Sequence, residues 1–161
     1  MINLKKIKYF CIFFLFIWTL FIWRNSLQIG NLSQQQSDWF VDRIKYFISS
    51  IFNINNSQND LSSLSFIIRK FAHFSEFFIL SFLWSILILK LNNIYNKKIF
   101  FPILLSILIA IIDETIQLYV PGRAGMLQDV FIDTSGAICG LISFLIIRKF
   151  FTKTFYKIFN L

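Results

Sequence analysis

Ile99-Phe-Phe-Pro-Ile-Leu-Leu-Ser-Ile-Leu-Ile-Ala-Ile-Ile-Asp-Glu-Thr-Ile-Gln-Leu-Tyr-Val120 is an apolar run interrupted near one end by two adjacent carboxylates. About 20 helical residues cross a hydrocarbon core roughly 30 Å thick, so the stretch is long enough to span a membrane. A charged side chain at the bilayer centre costs roughly 2.5–3.5 kcal/mol even on lenient insertion scales, and it persists there only with a partner or a task. Asp113 and Glu114 therefore mark where function should be sought.

Working outward, three more stretches qualify as spans: Ile7–Trp23, Leu64–Leu89 and Asp129–Ile147. The first is slightly short and the second long enough to tilt. Composition agrees. Of 161 residues, 57% are hydrophobic and 22 are Phe, while 15% are charged, which is too much apolar surface for a soluble domain of this length to hide. The expected fold is all-α, a single domain over residues 1–161 forming a polytopic bundle of about four transmembrane helices. Lys5, Lys6 and Lys8 before the first apolar run resemble a signal peptide, but no small-x-small site follows, so an uncleaved anchor is expected.

The net charge of +8 does not point to nucleic acid, because the basic residues lie in short runs beside the apolar segments. Lys5, Lys6, Lys8, Lys90, Lys97, Lys98, Arg148, Lys149, Lys153 and Lys157 all fall on one side of a four-span bundle. The positive-inside rule then places both termini in the cytoplasm of a cell membrane. Cys11 and Cys139 lie in the first and last spans, without a CxxC or a neighbouring His, so neither a disulfide framework nor a zinc site is expected.

In the first outer loop, the polar tract Asn31–Ser37 precedes Phe40, Ile44, Phe47, Ile48 and Ile51, which share one helical face. The expectation is a helix of about 15 residues, lying in the outer interface or folded over the bundle, with a flexible segment over Asn53–Ser63.

Helical geometry gathers the intramembrane polar residues. Arg69, His73 and Glu76 stand at i, i+4 and i+7, on one face of the second span. Asp113 and Gln117 are i, i+4, with Glu114 about 100° away. Asp129, Asp133, Gly136 and Gly140 share a face of the fourth span, and the two glycines form a small-xxx-small motif that admits a neighbouring helix. Counting about 1.5 Å per residue puts all these groups at one level, near the outer boundary. Pro121-Gly122 ends the third helix in a turn that holds Arg123 above the carboxylates, where its planar fork suits carboxylate or phosphate. The candidate site is therefore Arg69, His73, Glu76, Asp113, Glu114, Gln117, Arg123, Asp129 and Asp133. No known metal-ligand spacing is present, so no metal is assigned and no cofactor is required. No nucleophile elbow is present either.

Three blocks resemble the VanZ-like family of small multi-span bacterial membrane proteins. They are Trp23-Arg-Asn-Ser-Leu-Gln with Ser33 and Ser37; Ile68-Arg-Lys-Phe-Ala-His-Phe-Ser-Glu-Phe-Phe-Ile-Leu; and Asp113-Glu-Thr-Ile-Gln followed by Pro121-Gly-Arg and Asp129-Val-Phe-Ile-Asp-Thr-Ser-Gly. Phe77 stands where the family often has Tyr, and Asp133 where Asn is also common. The resemblance implies a cell-envelope role, the namesake being associated with resistance to the lipoglycopeptide teicoplanin. Three functions follow in order of preference. The first is binding of a membrane lipid headgroup, a lipid-linked wall precursor or a lipoglycopeptide. The second is a membrane-embedded metal-dependent hydrolase or transferase with His73 as acid/base. The third is an ion-coupled transporter, disfavoured by four spans without a repeat.

Overall fold

The computed structural model describes residues 4–52, 60–88 and 97–159. Five α-helices follow one another: α1 (Leu4–Ser26), α2 (Gly30–Phe52), α3 (Asp60–Ile88), α4 (Phe101–Leu118) and α5 (Leu127–Phe159), with a short 3₁₀ turn at Lys97–Phe100 ahead of α4. There is no strand among the described residues. α1, α3, α4 and α5 are long and apolar enough to cross a membrane; α2 is not. Phe10, Phe13, Leu108, Phe131, Ile146 and Phe150 all point outward from the bundle. In water so much exposed apolar surface would be a liability, whereas in lipid it is the expected exterior. The protein is a multi-pass membrane protein.

α3 packs against every other α-helix. Leu15, Ile22, Phe77, Leu80 and Ala110 form the core between α1, α3 and α4, with Trp18, Trp23 and Trp84 packed around it. The closest helix approach is between α3 and α5. A Cβ built on Gly136 would overlap the carbonyl of Phe74, and one on Gly140 the carbonyl of Phe78. Two glycines four residues apart thus receive two carbonyls four residues apart, the close packing that small residues permit in lipid.

The expected short loop helix is longer than its apolar periodicity indicates, since α2 begins at Gly30 and takes in the whole polar tract. The buried stripe is Ser33, Ser37 and Val41, while Phe40 and Ile44 are exposed. Ser33 and Ser37 face the cavity, and Ser37 satisfies its hydroxyl on the Ser33 carbonyl at 3.1 Å. Asp38 Oδ1 accepts from Gln34 at 2.8 Å and from Ser65 of α3 at 2.6 Å. Of the expected flexible segment, residues 53–59 lie outside the described residues, while Asp60–Ser63 already belong to α3.

α4 starts with Pro102 in its first turn, where a missing N–H costs nothing. It ends at Leu118, two residues earlier than expected, because the last turn tightens into i→i−3 bonds from Tyr119 to Ile116 (3.0 Å) and from Val120 to Gln117 (3.2 Å). Pro121 and Gly122 then form a turn closed by Arg123 N–H on the Val120 carbonyl at 3.1 Å, with Gly122 at φ 74°. Gly30 N–H donates to the Pro121 carbonyl at 3.0 Å, and a Cβ there would run into Gly122. The start of α2 is therefore fixed to the α4–α5 turn.

Candidate functional site

The polar residues of four helices meet at one end of the bundle. Asp113, Glu114 and Gln117 on α4 and Asp129 and Asp133 on α5 are all buried. His73 and Glu76 of α3 are half-buried between them and α1. Asp113 accepts from Ser26 Oγ of α1 and from Gln117 Nε2, the latter at 3.0 Å. Glu114 accepts from the same Gln117 amide at 3.1 Å and from the Met126 backbone N–H at 2.8 Å. One glutamine thus holds two adjacent carboxylates apart from lipid. Asn25 Nδ2 donates to Glu76 at 2.7 Å, and the Trp18 indole donates to the Glu76 carbonyl at 2.9 Å.

His73 Nδ1 lies 3.3 Å from Asp133 Oδ1. Neither carboxylate oxygen of Asp133 has a hydrogen-bond partner among the described residues, nor does His73 Nδ1, so this approach lacks hydrogen-bond alignment. Ligand-capable atoms of His73, Asp113, Glu114 and Asp133 all lie within 4.8 Å of one another.

Two residues of the expected cluster are engaged differently. Asp129 forms an ion pair with Lys70, both side chains being largely buried, so it is neutralised outside the His73 group. Arg123 reaches no carboxylate hydrogen bond. Its Nη2 donates to the Asn25 carbonyl at 2.8 Å and its Nε to the Gln28 carbonyl at 3.2 Å. The reason is local: the C-terminus of α1 presents carbonyls without helical partners, and a cation there satisfies them and the helix dipole. Burial, then the nearby charge of Arg69, pushes the Arg123 pKa down from the ordinary arginine value, while Asp113, Glu114 and Glu76 oppose the shift.

Beside this group opens a cavity of about 700 Å³ between α1, α2, α3 and the α4–α5 turn. Arg24, Arg69, Arg123, His73, Glu76 and Gln117 supply its polar wall. Phe21, Phe40, Ile44, Ile68 and Phe71 supply its apolar wall. His73 belongs to both cavity and carboxylate group; Asp113, Glu114 and Asp133 do not line the cavity.

Sequence reasoning passed over Lys70, Asn25, Ser26 and Trp18 as site residues. Lys70 carries a signal, being a charge inside a span. Asn25 and Ser26 stand in a block that resembles the VanZ-like family, but as uncharged donors at a helix end they look like ordinary flank residues until the fold turns them onto Glu76 and Asp113.

Fold and site together define a small polytopic membrane protein with a buried ionisable centre at one end of its bundle. The VanZ/LLP1 family model matches residues 10–148, and the chain belongs to that family. No curated protein and no solved structure gives a match.

Proposed function

We propose that the protein binds the phosphate-bearing headgroup of an envelope lipid or lipid-linked wall precursor, in a cavity facing the outer side of the cell membrane. The carrying observation is the balance of charge in the cavity wall. Three guanidiniums, Arg24, Arg69 and Arg123, face one carboxylate, Glu76, which already accepts from Asn25. Arg69 enters no ion pair or hydrogen bond among the described residues. A guanidinium fork matches a phosphate in two parallel bonds, and in a site shielded from water such bonds are strong. The aromatic and aliphatic wall suits the chain of the same amphiphile. An acylated glycopeptide combines an apolar tail with a polar head in the same way, which is how this reading would connect to teicoplanin resistance.

Native mass spectrometry of the purified protein, titrated with a polyprenyl phosphate, the matching polyprenyl alcohol and diacylglycerol, tests the reading. One phosphate lipid should be retained in preference to both others. Arg69→Gln removes a charge-assisted contact of about 1.5–3 kcal/mol. Retention should then weaken by about tenfold or more, at 1.4 kcal/mol per tenfold. Equal retention of alcohol and phosphate would remove the anion from the account.

A further inference from the structure

Behind the cavity, the fold collects three carboxylates around the chain's one histidine, His73, which stands at ion-pair distance from Asp133. Of the neighbouring cations, Lys70 is committed to Asp129 and Arg123 to the backbone carbonyls of Asn25 and Gln28, while Arg69 lines the cavity and makes no ion pair with the group. Neutral donors reach Asp113 and Glu114, from Ser26, Gln117 and the Met126 N–H. Asp133 receives none. It is 0% exposed, and both its oxygens lack hydrogen-bond partners among the described residues while Oδ1 faces an equally unbonded His73 Nδ1 at 3.3 Å. One imidazole, poorly aligned on Asp133, is the close partner of three buried carboxylates, and buried carboxylates are strongly disfavoured unless fully paired or coordinating a metal.

We propose that His73, Asp113, Glu114 and Asp133 form a binding site for one divalent first-row transition-metal ion. The dimensions suit it. Adjacent ligands of a shared ion stand about 3.0–3.6 Å apart and opposite ones at most about 4.2–4.4 Å, for metal–ligand distances of about 2.1–2.2 Å. The observed limit of 4.8 Å closes to that with a small side-chain adjustment. One imidazole nitrogen with three carboxylates favours manganese, iron or zinc over the all-oxygen shells of magnesium and calcium. The surroundings of the ligands fit as well: ligating carboxylates are characteristically held by outer hydrogen bonds, the part that Ser26, Gln117 and the Met126 N–H play for Asp113 and Glu114. The linear sequence shows no ligand motif because the four residues come from three helices, α3, α4 and α5.

This site stands apart from the lipid reading, since the ion would sit among the carboxylates and the lipid phosphate against Arg69. The test uses the full chain in nanodiscs, purified without a polyhistidine tag and titrated with Mn²⁺. Electron paramagnetic resonance should show one saturable ion per chain, displaced by Zn²⁺. Pulsed spectra should show coupling to a nitrogen-14 nucleus of an imidazole, assignable to His73 because no other histidine exists in the chain. Losing an outer-shell partner costs about 10–100-fold in metal affinity. Asp133→Asn, which removes a direct ligand, should cost no less. Asp38→Asn, a carboxylate on α2 outside the group, should bind as the unaltered chain does. Absence of saturable Mn²⁺ binding, bound Mn²⁺ without nitrogen coupling, or undiminished binding by Asp133→Asn would each overturn the proposal. The wild-type spectrum decides the matter even if Asp133→Asn fails to fold.

Discussion

At Arg123, a guanidinium that the linear sequence offers to carboxylates is turned onto the carbonyls of Asn25 and Gln28. That contact makes Arg123 a clamp between the α4–α5 turn and the end of α1, as well as part of the cavity wall. Arg123→Gln should therefore lower stability by about 1–2 kcal/mol, the loss of charged-donor hydrogen bonds at a half-buried position. Arg69→Gln, which breaks no bond within the described structure, should leave stability nearly unchanged. Thermal unfolding in detergent separates the two, and equal melting of Arg123→Gln and wild type would contradict the clamp. Lys70 and Asp129 permit a second test. Removing one partner of a buried pair strands the other, at about 3–5 kcal/mol, whereas replacing both with apolar groups is often nearly neutral. Lys70→Met should thus be strongly destabilised and Lys70→Met/Asp129→Leu substantially recovered, as measured by a double-mutant cycle. A double variant as unstable as the sum of the singles would show that the pair is not coupled.

Between helices, the carbonyls of Phe74 and Phe78 against Gly136 and Gly140 set how near α3 comes to α5. That separation in turn sets the distance from His73, next to Phe74 on α3, to Asp133, one turn before Gly136 on α5. Gly136→Ala should cost about 1–3 kcal/mol through overpacking. Gly136→Leu should separate the helices further, and disulfide cross-linking between cysteines placed on the facing surfaces would register it as slower bridging. Unchanged stability in Gly136→Ala would mean the approach is looser than described. The same elements show what a sequence yields. Four spans were legible because long apolar runs mark them, and the shared level of Arg69, His73, Glu76, Asp113 and Asp133 was legible because i, i+4, i+7 spacing is visible in one dimension. The face of α2 was not. Ser33 and Ser37 read as loop residues by propensity, and only the folding of α2 over the bundle, where both line the cavity, makes them the buried stripe. Lys70, visible as a charge inside the span, fell outside the expected site for an angular reason: it sits one residue from Arg69, about 100° round the helix, and so pairs on α5 while Arg69 faces the cavity.

For the molecule as a whole, the apolar exterior of α1, α3, α4 and α5 fixes a membrane location, while the direction of insertion rests on the basic residues at one end. With Cys11 and Cys139 replaced, a membrane-impermeant thiol reagent applied to intact cells should label a cysteine at Gln35, an exposed position of α2. It should not label one at Asn160. Labelling of Asn160 from outside would reverse the topology and turn the cavity toward the cytoplasm. In the proposed function this cavity holds the phosphate of an amphiphile between Arg69 and Arg123. The most direct measurement is an experimental structure grown in a lipidic phase with a polyprenyl phosphate carrying a heavy-atom-labelled phosphorothioate. The account predicts the labelled headgroup within hydrogen-bonding reach of the Arg69 guanidinium, with its chain along Phe40, Ile44 and Phe71. A headgroup found elsewhere on the bundle, with lipid tails alone against Arg69, would contradict it.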